Sequence, residues 1–137
     1  MSSPGAAERD ASVSRSDSSA HDQRFPRSHR LTTRAQFKEV YARGHRARSD
    51  SFTLFGLPNR LDRSRLGVTV TRKIGKAIVR NRTKRRLREL FRRNHRALEP
   101  KMDLVINAHP TIVAIDTASL EREFVSGLRR LARKAGS

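Results

Sequence analysis

The sequence predicts an α+β domain built on a small mixed sheet, and three observations carry that prediction. Hydrophobic periodicity switches along the chain between the 3.6-residue repeat of helices and the two-residue repeat of strands. A strand, a long helix and a second strand follow one another between residues 65 and 108, the order that places two strands parallel. The 137 residues are 35% hydrophobic, without Trp or Cys, so a single aliphatic core with a few Phe must hold the fold without disulfides.

Residues 1–24 are rich in Ser, Ala and Asp and nearly charge-balanced, which reads as a disordered tail. Order is expected to begin near Phe25-Pro26. Thr33 and Gln36 fit a capping box, and Phe37, Val40 and Tyr41 then share one face of a short helix that Gly44 ends. On pattern alone the bland reading of Phe37 and Tyr41 is core packing, with an aromatic nucleic-acid platform as the alternative. Gly44 to Arg48 reads as a basic link. Ser51 to Leu57 favours a strand, with Phe52 and Leu54 on one side and Thr53 and Phe55 on the other, so neither face is simply solvated. Arg65 to Thr71 alternates as a half-buried strand. The sequence predicts that these two strands pair as an antiparallel hairpin.

Gly75 breaks the second strand and permits an unusual backbone angle. The next helix is expected over about Val79–Leu98, with Val79, Thr83, Leu87, Leu90, Phe91, Ala97 and Leu98 as its core stripe. Asp103 to Ala108 reads as a buried strand, parallel to 65–71. Asp116 or Thr117 caps a last helix whose apolar side holds Leu120, Phe124, Val125, Leu128, Leu131 and Ala132. Residues 134–137 are expected to form a C-terminal tail.

The charge is the second theme. Lys and Arg number 31 against 13 acids, a formal net charge of +18. Arg72 to Arg93 alone carries eleven cations in 22 residues, with Glu89 its one acid. Such a cluster repels itself unless a polyanion is near, which points to nucleic acid or an anionic surface. Arg outnumbers Lys 25 to 6, favouring forked phosphate contacts and base stacking. The acids are few and scattered, with no two-metal carboxylate pair, no Ser–His–Asp set and no Gly-rich phosphate loop. The five His lack ligand spacing and read as surface or turn residues. No catalytic residue and no metal site are expected in this chain. The absence of a membrane-length apolar run and of a signal core is read as a cytoplasmic protein.

The run from Arg65 to Glu89, RLGVTVTRKIGKAIVRNRTKRRLRE, resembles the signature of the bacterial ribonuclease P protein component. In that family a strand, a Lys-Ile-Gly turn and an Arg-Asn-Arg helix occur in this order. The preceding RLTTRAQFKEVYARGHRARSDSFTLF resembles the family's first helix and second strand, and the likeness spans roughly residues 25–133. It implies a single αβββαβα domain with a mixed sheet and a left-handed βαβ crossover, similar to the ribosomal protein S5 domain 2-like fold. It also implies an RNA-binding subunit of a ribonucleoprotein that removes the 5′ leader of precursor tRNA, with catalysis by RNA and Mg²⁺. Its implied partners are the catalytic RNA and the leader, with no obligate protein partner and no membrane.

Residues matching the family's RNA-facing set are Arg72, Lys73, Arg80, Asn81, Arg82, Lys84, Arg85 and Arg88. Lys76, standing where the family commonly has Asn, adds a charge to it. Phe37, Tyr41 and Phe55 match the aromatic positions of a leader-binding cleft, which for these side chains favours the platform over the core. Thr83 departs from the family's aliphatic residue and is expected to cost burial. Two other readings compete: a stand-alone basic ribosomal or nucleoid protein, and a nuclease with its own active site.

Overall fold

In the computed structural model, residues 29–136 are described. The expected N-terminal tail and the start of order at Phe25-Pro26 lie outside them. Helix α1 spans Arg34–Arg43, strand β1 His45–Arg48, β2 Phe52–Pro58, β3 Arg65–Thr69, helix α2 Ala77–Asn94, β4 Met102–Ala108 and α3 Thr117–Ala135. This is the αβββαβα order. Lys134 and Ala135, expected in a tail, form the end of α3.

The four strands make one mixed sheet in the order β1-β2-β4-β3. β2 pairs antiparallel with β1 and with β4, while β3 pairs parallel with β4. The parallel pairing is as expected, and α2 is the crossover that joins its strands. The hairpin between residues 51–57 and 65–71 does not form, because β4 lies between them. The reason is burial: Met102 to Ile106 are buried without alternation, so β4 needs cover on both faces and takes an interior position. The 59–64 connection therefore crosses the end of β4 instead of turning tightly. Asn59 N–H donates to the Lys101 carbonyl, and Met102 N–H donates to Ser64 Oγ, at 3.1 and 3.0 Å.

The supposed basic link is also corrected. His45–Arg48 is strand β1, in register with Gly56 to Thr53. Its polar composition hid it, since only Ala47 is buried. β1 is an edge strand, and α3 covers that edge. Arg130 donates to the Arg48 carbonyl and to Ser49 Oγ, and Lys134 donates to the Arg46 carbonyl. These bonds occupy acceptors that would otherwise template pairing with another chain.

Each face of the sheet has its own core. On one, Phe52, Leu54, Leu66, Met102, Leu104 and Ile106 are buried with Phe91, Leu120, Phe124 and Leu131 of α2 and α3. The approach is close: a Cβ at Gly127 would meet Leu54 at 2.6 Å, and one at Gly56 would meet Met102 Sδ at 2.9 Å. On the other face α1 packs with Leu31, Val40 and Val105, flanked by half-buried Phe37, Phe55 and Leu57. Below that cluster Arg65 grips Asp103 through two bonds of 2.8 and 2.7 Å, and Asn59 Nδ2 donates to the same carboxylate at 2.9 Å. The carboxylate holds the Arg65 guanidinium above its ordinary pKa against the opposing effect of burial.

Capping follows the sequence at α1, where Thr33 Oγ accepts from Gln36 N–H and Gln36 Oε1 accepts from Thr33 N–H, at 3.1 and 3.0 Å. Gly44 ends that helix for a steric reason: its φ of −78° is ordinary, but a Cβ would lie 2.5 Å from the Val40 carbonyl oxygen. Gly75 does adopt the expected unusual angle, with φ 151°.

Candidate nucleic-acid interface

The first candidate surface is the 72–76 turn with the N-terminal half of α2. Thr71 to Ile74 turns the chain out of β3, and Gly75 lets it enter the helix. Arg80 Nη1 donates to the Gly75 carbonyl at 2.8 Å, so this cation braces the joint between turn and helix. Thr83 is buried as part of the inner stripe, and its hydroxyl donates to the Val79 carbonyl at 3.0 Å, so the polar atom costs no unmet hydrogen bond. Ala97, expected on that stripe, is exposed, because α2 stops at Asn94 and a short 3-10 turn follows.

The cations of α2 are not alike. In its second half, Arg86 donates to the carbonyls of Ile112 and Ile115, Arg92 pairs with Glu89 at 2.6 Å, and Arg93 pairs with Glu121 at 3.3 Å. Asn94 and Arg93 together hold the Glu121 carboxyl below its usual range. In the first half no acid is available. Arg72, Lys73, Lys76, Asn81, Arg82 and Arg85 are exposed, and among the described residues none of these five cations has an ion-pair partner. Lys84 and Arg88 are half-buried, and each interacts with another residue.

At the helix N-cap, the placement of Lys76 opposes the helix dipole. Cations are disfavoured at a helix N-terminus, where the first-turn N–H groups already present partial positive charge. Here Lys76 is the N-cap without a capping side-chain bond, and the first turn holds no acid. A bound polyanion removes that penalty. Beside the same face, a groove of about 250 Å³ runs between α2 and the start of α3, with Arg82, Arg85 and Arg93 around Leu90 and Leu120.

The second surface lies on the α1 side of the sheet. The three aromatic residues singled out from the sequence meet there, with unequal exposure. The Tyr41 and Phe55 rings are in edge-to-face contact at 4.9 Å. Tyr41 is 38% exposed and Phe55 half-buried. Phe37 serves mainly as packing, since its ring lies where a Cβ on Gly67 would come within 2.5 Å. Sequence reasoning missed the polar groups around the rings. Tyr41 Oη contacts Thr69 Oγ at 3.1 Å and donates to Asn107 Oδ1 at 2.7 Å. Thr53 Oγ lies 2.9 Å from His109 Nε2, whose ring Nδ1 lies 3.2 Å from the Asp50 carbonyl. Exposed Arg46 and Arg48 stand in register with Phe55 and Thr53. Strand alternation would have put Thr53 and Phe55 on this face, but its other members required the sheet order.

Among the described residues no three His, Cys, Asp or Glu side chains cluster as a metal site, and no helix is long and apolar enough to cross a membrane. The geometry defines a class: an α+β domain with a cationic, dipole-opposed helix start on one side and a polar-aromatic sheet face on another. Phosphates suit the first and unstacked bases the second.

The comparisons with known proteins are specific. The ribonuclease P family model matches residues 25–132. The ribonuclease P protein component of Desulfovibrio desulfuricans is 41% identical over 113 residues, spanning 80% of this chain and 87% of the relative. That of Gluconacetobacter diazotrophicus is 43% identical over 113 residues, spanning 80% and 93%. Among solved structures, the Thermotoga maritima RNase P protein in complex with 1-(4-fluorophenyl)-2-thiourea superposes with a TM-score of 0.68 at 32% identity, over 74% of this chain and 98% of that one. The chain belongs to the bacterial ribonuclease P protein component family.

Proposed function

We propose that this chain is the RNA-binding subunit of ribonuclease P, acting with a catalytic RNA to remove the 5′ leader of precursor tRNA. The observation that carries this reading is the set of exposed, unpaired cations in the 72–76 turn and the N-terminal half of α2. Arg72, Lys73, Lys76, Asn81, Arg82 and Arg85 dock the catalytic RNA, with Arg80 holding the turn and Lys84 and Arg88 flanking it. The separate face at Tyr41 and Phe55 takes the single-stranded leader, with Phe37 seating the helix that carries Tyr41. Hydrolysis belongs to the RNA and its bound Mg²⁺. The chain's contribution is to neutralise phosphates that would otherwise repel one another and to hold the leader near the cleavage site.

The test mixes purified protein with precursor tRNA at low Mg²⁺, with and without the catalytic RNA. Cleavage should require the RNA and be strengthened by the protein. Cleavage by protein alone would identify a nuclease with its own active site, and failure to stimulate the RNA would leave a stand-alone nucleic-acid binder.

A further inference from the structure

Two large aliphatic side chains stand in solvent at and near the start of α2. Ile78, in the first turn of the helix, is 68% exposed, and Val113, at the end of the 3-10 turn Pro110–Val113, is 48% exposed. Ile78 shares one helix face with Arg82 and Arg85, at i+4 and i+7, and exposed Lys76 precedes it. Half-buried Val79 and buried Thr83 face inward, so Ile78 takes no part in the core. The Pro110–Val113 turn packs against both the 72–74 turn and α2. Arg86, about two helix turns beyond Ile78, holds it there by donating to the carbonyls of Ile112 and Ile115 at 3.0 and 2.7 Å. Aliphatic groups and guanidiniums are therefore interleaved on one short stretch of surface.

A lone exposed isoleucine is ordinary. This one stands among exposed cations, with no acid in the first turn of its helix, and that narrows what can cover it. A protein surface apolar enough for Ile78 would bury Arg82 and Arg85 beside it, at a cost unless it brought acids of its own. A bilayer interface needs a continuous apolar face, which the exposed side of α2 lacks. A nucleotide offers both chemistries at once: a phosphate for the guanidiniums and, when unstacked, a base and sugar face for an aliphatic wedge.

We propose that Ile78, supported by Val113, is an apolar wedge against an unstacked nucleotide of the catalytic RNA, whose phosphates the neighbouring cations hold. The inference rests on the reading of this surface as the docking site for that RNA, and deepens it. The cations attract any polyanion, whereas the wedge makes a contact that only an unpaired, unstacked position can receive.

The experiment titrates the catalytic RNA with the full chain over a range of salt. Ile78→Ala should weaken binding about tenfold, the scale of about two buried methylenes. The slope of log affinity against log salt should stay as in wild type, since an apolar contact releases no counterion. Ile78→Leu should bind close to wild type, and Val113→Ala should show a smaller loss at the same slope. Ala is the better helix former, so the melting temperature of Ile78→Ala should not fall; a fall would make Ile78 structural and overturn the proposal. At saturating protein, acylation of the RNA 2′-hydroxyls should rise at one nucleotide when Ile78→Ala replaces wild type. Arg82→Ala separates two kinds of failure. If it lowers the slope while Ile78→Ala binds as wild type, the docking surface stands and the wedge is overturned. If neither variant changes affinity for the catalytic RNA, both readings fall. A slope that falls with Ile78→Ala, or acylation unchanged at every nucleotide, also overturns the wedge. If Ile78→Ala binds RNA normally but sediments differently, a second copy of the chain covers this face instead.

Discussion

The start of α2 and the sheet face under α1 solve opposite problems. At the start of α2, Lys76, Arg82 and Arg85 stand in solvent without ion-pair partners among the described residues, and Lys76 lies where the dipole disfavours it. On the sheet, the aromatic and hydrogen-bonding side chains are neutral, and they aim one another, as Thr69, Tyr41 and Asn107 do. The first surface gains from the number of charges and tolerates imprecise placement, because Coulomb attraction falls off gradually. The second depends on hydrogen bonds and ring contacts that fail within an ångström. Substitutions on the sheet face should therefore cost stability and selectivity, whereas those on α2 should cost affinity without cost to the fold.

The largest effect should come at the foot of the sheet face. Asp103→Ala leaves the Arg65 guanidinium, 22% exposed, without its carboxylate. Urea unfolding should show a loss of about 3 kcal/mol, and a value below about 1 kcal/mol would mean that water screens the pair. Next, Phe55→Ala should weaken leader-bearing precursor tRNA by about 1–3 kcal/mol relative to mature tRNA, if a base stacks there. Equal loss for both substrates would remove the distinction between the surfaces.

On α2, Arg82→Ala and Arg85→Ala should each lower the slope of log affinity against log salt by about 0.7–0.9. An unchanged slope would show that the side chain meets no phosphate. The smallest effect sharpens the contrast most. Removing one of these cations should leave the melting temperature at low salt unchanged or raise it, by an amount equivalent to a few tenths of a kcal/mol, as like-charge repulsion is relieved. A clear fall in melting temperature would make Arg82 or Arg85 structural.

Some of this was legible from residue spacing. Helix stripes, the Thr33 box, the Gly75 break and the density of charge are local properties, written over a few residues. The strand order is not legible, because pairing partners are not local: residues 52–58 and 65–69 are neighbours in sequence, yet β4 lies between them. β1 was missed because an edge strand with one buried residue has no apolar alternation to detect. Thr83 looked like a loss of burial, and only the backbone acceptor at Val79 shows why it is tolerated.

The sequence by itself determined the class of fold, the family and the cationic helix, since periodicity, motif order and net charge are properties of the chain before it folds. Only the tertiary structure decided which cations remain unpaired, because Glu121 and the carbonyls of Ile112 and Ile115 reach α2 from distant segments. It also decided the membership of the sheet face. Tyr41, Thr69 and Asn107 come from a helix and two strands, and the register of β3 with β4 brings them within hydrogen-bonding distance.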